Sequence, residues 1–196
     1  MRGEASEQIQ ISLNMILMYN KSHKSGVGEM LKKYKLGFDI WGALLFLIIM
    51  VPNFIWFVVP TPNDILRVDS ITKTLDTVAS VCQVLMIIVL CILINRERKK
   101  PKYSPLVIIV IISCLIYFAS WIFYYAGITN MLVILGLTIP PCLAFFFFAL
   151  DRKNYIAIIP IFAFSICHLI YAIENFNLML NILCSGRLRR NRMMRL

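Results

Sequence analysis

The chain has 196 residues, 60% of them apolar and only 15% charged, and its mean hydropathy is positive. A soluble domain of this size needs more polar surface, which excludes a separate soluble domain and leaves an all-α, polytopic membrane bundle. The net charge of +10 does not point to nucleic acid, because Lys and Arg gather at the ends of apolar runs, as positive-inside topology requires.

Residues 1–35 read as an extension on the cytoplasmic side. Within it, MLKKYKLGFDIW from Met30 has the form of a membrane-protein start: a methionine, a few lysines, then the first span. The codons for SGVGEM just upstream can spell a GGAG sequence shortly before the Met30 codon, as at a bacterial translation start. Residues 1–29 are therefore expected to lie outside the natural chain.

The first span is expected over Leu36–Val59, close to the roughly 20 residues that cross a hydrocarbon core of about 30 Å. It ends in VPNFIWFVVPTPND. Pro52 removes a backbone donor and frees the carbonyl of Ile48, while Asn53 puts a carboxamide into lipid. Trp56 reads as an interface anchor, and Pro60, Pro62, Asn63 and Asp64 as the turn into water. Span 2, Leu75–Ile94, carries Asp76 near its outer end and Gln83 deeper. The loop RERKKPK, Arg96 to Lys102, is a topogenic signal or, more sharply read, a site for anionic lipid headgroups.

Ser104-Pro105 opens span 3, Leu106–Ala126, as an N-cap followed by a first-turn proline. This span carries Ser120, Trp121 and Tyr124. The uncharged turn AGITN leads to span 4, Met131–Leu150, with Thr138 and Pro140-Pro141. DRKN then leads to span 5, Tyr155–Phe176. Here His168, Tyr171 and Asn175 share one helical face with Glu174 beside them. Within lipid every backbone group must be satisfied in its own segment, so all five runs are expected to be helical. Strand-like alternation, which a barrel needs, is absent.

Residues 36–176 thus form a five-helix domain. Between Met30 and Phe176, the amino-terminal flank, loop 2–3 and loop 4–5 carry ten Lys/Arg, against Arg67 and Lys73 on the other side. The amino terminus is expected in the cytoplasm. The basic tail, 177–196, breaks the pattern: with five spans it falls outside, yet it carries five arginines after Ser185. NLMLNILC is too short for a sixth crossing. The tail lies along anionic lipid, or one span is misread, or these residues do not belong to the ancestral chain.

Polar groups in a bilayer must face protein or water, and here most fall in the outer half. Asn53, Gln83, Ser120 and His168 lie at similar depth, with Asp76, Tyr171 and Glu174 nearer the rim. They read as a polar pocket open to the outside, His168 being a proton acceptor and Glu174 or Asp76 its charge partner. The plainer reading is hydrogen bonding between helices at about 0.6 kcal/mol each, with Trp56, Trp121 and Tyr124 as anchors in an aromatic belt. The internal prolines are packing kinks, or else breaks of the kind that line transporter sites.

No metal site or cofactor is expected. Five of the six cysteines lie inside apolar runs, no CxxC pair occurs, and the chain holds only two histidines. Nor is there a Gly-rich phosphate loop, HExxH or GxSxG. The expectation is a non-enzymatic membrane protein whose outward pocket binds a small molecule, lipid or partner helix. A small transporter or transporter subunit is the alternative, and an intramembrane enzyme using His168 the third reading. Partners are the bilayer and a membrane protein or second copy, with no nucleic acid.

The stretch from MLKKYKLGFDIW through VPNFIWFVVPTPND and ASVCQVLMIIVLCILINRERKK to DRKNYIAIIPIFAFSICHLIYAIENF resembles small multi-span bacterial membrane proteins that carry no assigned activity. The resemblance covers roughly Met30 to Phe176. It implies a bacterial cytoplasmic membrane and names no site residues.

Overall fold

Asp39 sets the start of the first helix, accepting the backbone N–H of Trp41 at 3.1 Å as an N-cap does. From there α1 runs Ile40–Val58. The computed structural model describes Met15 and residues 32–62, 64, 66, 73–98 and 104–193, with backbone alone at 73, 175 and 178–193. The expectations placed on residues 1–29 as an added segment, and on the arginines of the tail, fall outside these described side chains.

Ahead of α1 lies a feature absent from the sequence reading. β1, Tyr34–Leu36, pairs antiparallel with β2, Leu93–Asn95, with Tyr34 opposite Asn95. Leu36 and Leu93-Ile94, expected inside spans 1 and 2, belong to this ladder instead. Its physical reason is at the end of α2, Lys73–Ile92, whose last carbonyls have no partner within the helix. Gly37 N–H donates to Ile92 O at 2.9 Å and Asp39 N–H to Cys91 O at 2.7 Å. The chain entering α1 therefore caps the chain leaving α2.

The remaining helices are α3 (Pro105–Tyr125), α4 (Met131–Asp151) and α5 (Tyr155–Met193). Ser104 caps α3, its Oγ accepting from Val107 N–H at 3.2 Å ahead of Pro105. Asn130 caps α4 through Val133 N–H at 2.9 Å. The fold is all-α apart from the short ladder, and among the described residues five helices are long and apolar enough to cross a membrane. The chain is a multi-pass membrane protein. Its outward surface is apolar, with Phe57, Leu132 and Ile159 each more than 70% exposed, as lipid contact allows. α5 continues past its apolar span, which ends at Glu174, as one helix to Met193.

In the bundle α3 packs on α4, α4 on α5, α5 on α2 and α2 on α1, while α1 touches α3 and α4 only lightly. The helices thus form a ring with one loose seam. At the ladder end the ring is pinned by buried polar groups. The Asp39 carboxylate meets Arg98 Nη1 at 2.7 Å and Arg152 Nε at 3.5 Å, and Arg152 lies over the Phe148 ring. The buried Asn154 amide donates to Val89 O and Leu93 O, both at 2.9 Å, tying the α4–α5 turn to α2. Lys153, the residue of that turn with positive φ (54°), has its carbonyl held by Asn95 Nδ2 at 2.9 Å and Tyr34 Oη at 3.2 Å.

α1, α4 and α5 run through Pro52, Pro140-Pro141 and Pro160 without interruption. These prolines lie inside continuous helices and do not break them.

Candidate functional site

The halves of the helices remote from the ladder enclose a cavity of about 490 Å³ to which all five contribute side chains. It occupies the middle of the ring, beside the loose seam of α1. Asn53 from α1, Asp76 and Gln83 from α2, and His168 and Tyr171 from α5 all line it. Sequence spacing placed Asn53, Gln83 and His168 at one depth, with Asp76 and Tyr171 nearer the rim; the packing turns all five toward one space.

Each is differently engaged. Asn53 Nδ2 donates to Tyr117 Oη at 2.8 Å and to its own-helix carbonyl, Ile49 O, at 3.1 Å. Gln83 Nε2 reaches only the thioether of Met50, at 3.9 Å. The His168 ring is stacked on Phe164, 5.1 Å between centroids and 17° between planes. Among the described residues neither the imidazole of His168 nor the carboxylate of Asp76 has a hydrogen-bonding or ionic partner. Tyr171 donates to Leu66 O at 3.3 Å.

Two residues expected in this set lie elsewhere. Ser120 donates to Ile116 O of its own helix at 2.9 Å and packs at Gly136 of α4, where a Cβ would sit 3.1 Å from Ser120 Cβ. Its hydroxyl is satisfied locally, and the residue serves close packing of α3 on α4. Glu174 is exposed and does not line the cavity, so it is not placed to serve His168. The side chain of Asn175 is outside the described residues.

The aromatic anchors also differ from expectation. Trp121 and Tyr124 are 5% and 0% exposed, so they are inside the bundle and not part of an outward belt. Trp56 and Trp121 line the cavity with Tyr117. Trp121 stands edge-on to Tyr117 (6.3 Å, 84°) and to Tyr124 (5.7 Å, 87°), the arrangement that aromatic quadrupoles favour. Trp121 Nε1 is buried without an acceptor.

Asp64 organises the end of this wall. It accepts from Trp56 Nε1 at 2.9 Å and from Tyr124 Oη at 2.9 Å, and Leu66 N–H donates back to Tyr124 Oη at 3.3 Å. What the sequence presents as a turn into water therefore folds back on α3 and α1. Sequence reading missed Tyr117 and Asp64. The signal was available for Tyr117, which is one turn before Trp121 on the same face, but not for Asp64, which sits in a loop.

A second groove of about 360 Å³ runs between α4 and α5, lined by apolar groups such as Leu143, Phe146 and Phe162 with Ser165 among them. Leu143 and Phe162 are exposed, which makes it a lipid-facing furrow. Among the described residues no three His, Cys, Asp or Glu come together as a metal site would need. Compared with protein-family models, curated proteins and solved structures, the chain matches none.

Proposed function

We propose that this protein is a ligand-binding protein of a bacterial cytoplasmic membrane, with the ladder end in the cytoplasm and the cavity open toward the outside. The observation that carries this reading is the convergence of Asn53, Asp76, Gln83, His168 and Tyr171 on one space of about 490 Å³. That size falls in the range of small-molecule sites, which are largely apolar with a few placed polar groups. The orientation is supported by the ten Lys/Arg on the ladder side against two on the other between Met30 and Phe176, a bias that the five arginines of the tail oppose.

Binding fits this cavity better than catalysis or transport. Among the described residues no Ser or Cys is bonded to His168, and Ser120 lies off the cavity with its hydroxyl donating to Ile116 O. Discontinuous helices, which supply freed carbonyls in many transporter sites, are replaced here by helices that continue through their prolines.

The chain's own tryptophans supply the test. Of its three, Trp56 and Trp121 line the cavity, while Trp41 is exposed near the ladder end. In a Trp41→Phe protein in nanodiscs, emission reports the cavity alone. A water-borne quencher such as acrylamide is expected to reduce that emission, and filling the cavity by a Gln83→Trp substitution to lessen the quenching. Emission as insensitive to acrylamide as that of a lipid-buried indole would sink the proposal.

A further inference from the structure

Resting on that reading, we infer that the ligand is a small organic cation, an amine or quaternary ammonium held by Asp76 and the aromatic wall. Three observations converge. First, among the described residues Asp76 is the one acidic side chain lining the cavity, and no described Lys or Arg lines it. Asp76 is half-buried in the first turn of α2, where the helix N-terminus favours a carboxylate, and it turns that negative charge toward the cavity. The contrast at the other end is instructive, where Asp39 has Arg98 at 2.7 Å and Arg152 at 3.5 Å. Asp76 lacks any such partner among the described residues, and on this proposal the ligand supplies the positive charge that completes it.

Second, the facing walls are aromatic. Trp56, Tyr117 and Trp121 come from α1 and α3, and Phe164 and Tyr171 from α5. The faces of Trp and Tyr rings attract ammonium groups within about 6 Å, Trp most strongly. An apolar neutral ligand would be served equally well by the aliphatic residues that fill the rest of the core, and an acyl chain would leave Asp76 and Gln83 without water or partner. An anion would meet the Asp76 carboxylate.

Third, donors and acceptors remain for the rest of such a molecule. Trp121 Nε1 is buried without an acceptor, and Gln83 has only the weak contact to Met50. A cation bearing a hydroxyl or carbonyl oxygen satisfies Asp76 through its charge and an N–H through its oxygen.

Ala79 lines the cavity one turn from both Asp76 and Gln83 on α2. The test uses Ala79→Cys in the otherwise full chain in nanodiscs, scoring modification by a neutral maleimide above that of the unsubstituted protein. Tetraethylammonium is expected to slow the reaction in a saturable way, by about tenfold once the occupied cavity excludes the reagent, while butanesulfonate leaves the rate unchanged. Asp76→Asn is expected to abolish the protection and Asp76→Glu to retain it, which separates loss of charge from loss of fold. If Ala79→Cys reacts but the two ions protect equally, or neither protects, the cation assignment is overturned and the open cavity stands. If Ala79→Cys does not react at all, both fall.

Discussion

Asp39 caps the start of α1 and Asn53 lies within it, two polar side chains on one lipid-embedded helix whose surroundings give them very different weight. Asn53 shares one neutral hydrogen bond with Tyr117, at 2.8 Å. Such bonds between membrane helices average about 0.6 kcal/mol and rarely exceed about 1.7 kcal/mol, because the separated helices find other partners. A double-mutant cycle of Asn53→Leu and Tyr117→Phe, read by thermal unfolding in detergent, is expected to return a coupling in that range. A coupling near zero would show that the contact does not form. Asp39 is 4% exposed and faces Arg152, itself 6% exposed. Asp39→Asn keeps an oxygen to cap α1 but leaves a buried guanidinium without its counter-charge, a loss of about 3 kcal/mol or more. The same unfolding assay is expected to show Asp39→Asn far below Asn53→Leu in stability; equal melting of the two would refute the assignment.

At the scale of helices, the decisive contacts are the close ones. Gly136 brings α4 against α3 so nearly that an added Cβ would clash with the Ser120 side chain. Gly136→Ala is therefore expected to cost about 1–3 kcal/mol through overpacking, although alanine is the better helix former. Placing Gly136→Ala in a Ser120→Gly background is expected to recover at least half of that loss. Ser120→Ala alone, which removes only a bond to its own helix, is expected to lie within about 0.5 kcal/mol of the native protein. If Ser120→Gly gives no rescue, the helices do not cross where Gly136 implies. These crossings also explain what was legible in the sequence. The five spans were readable because lipid demands apolar runs of fixed length. The caps at Ser104 and Asn130 are local chemistry, although the sequence reading used only the first. The ladder was hidden, since Leu93-Ile94 continues the apolar pattern of α2 without any mark of the switch to strand. Helix rotation was hidden as well, for packing alone sets it. Asn53, Gln83 and His168 could be placed at one depth, but nothing in their spacing distinguished them from Ser120, which faces Gly136.

Taken whole, the molecule divides its polar chemistry between two ends that perform different tasks. At the ladder end the charges are paired with one another: Asp39 with Arg98 and, at 3.5 Å and without a hydrogen bond from its buried Nε, with Arg152, Lys33 with Glu97 at 3.5 Å, and the Asn95 and Asn154 amides on backbone carbonyls. A network paired in this way rigidifies what it joins, here the starts of α1 and α5 and the end of α2. At the other end Asp76, Gln83, His168 and Trp121 Nε1 have partners that are weak or lacking, which a stable fold tolerates mainly where a ligand or water completes them. The orientation of the bundle decides which compartment supplies that ligand. Cysteines at Glu97 and Ile128 test it, because both positions are exposed and lie at opposite ends of the bundle. In intact cells a membrane-impermeant maleimide is expected to label Ile128→Cys at once and Glu97→Cys only after the membrane is opened. The reverse pattern would place the cavity toward the cytoplasm. Its cation would then be an intracellular one, and the basic loops would face outward against the charge rule that otherwise governs such helices.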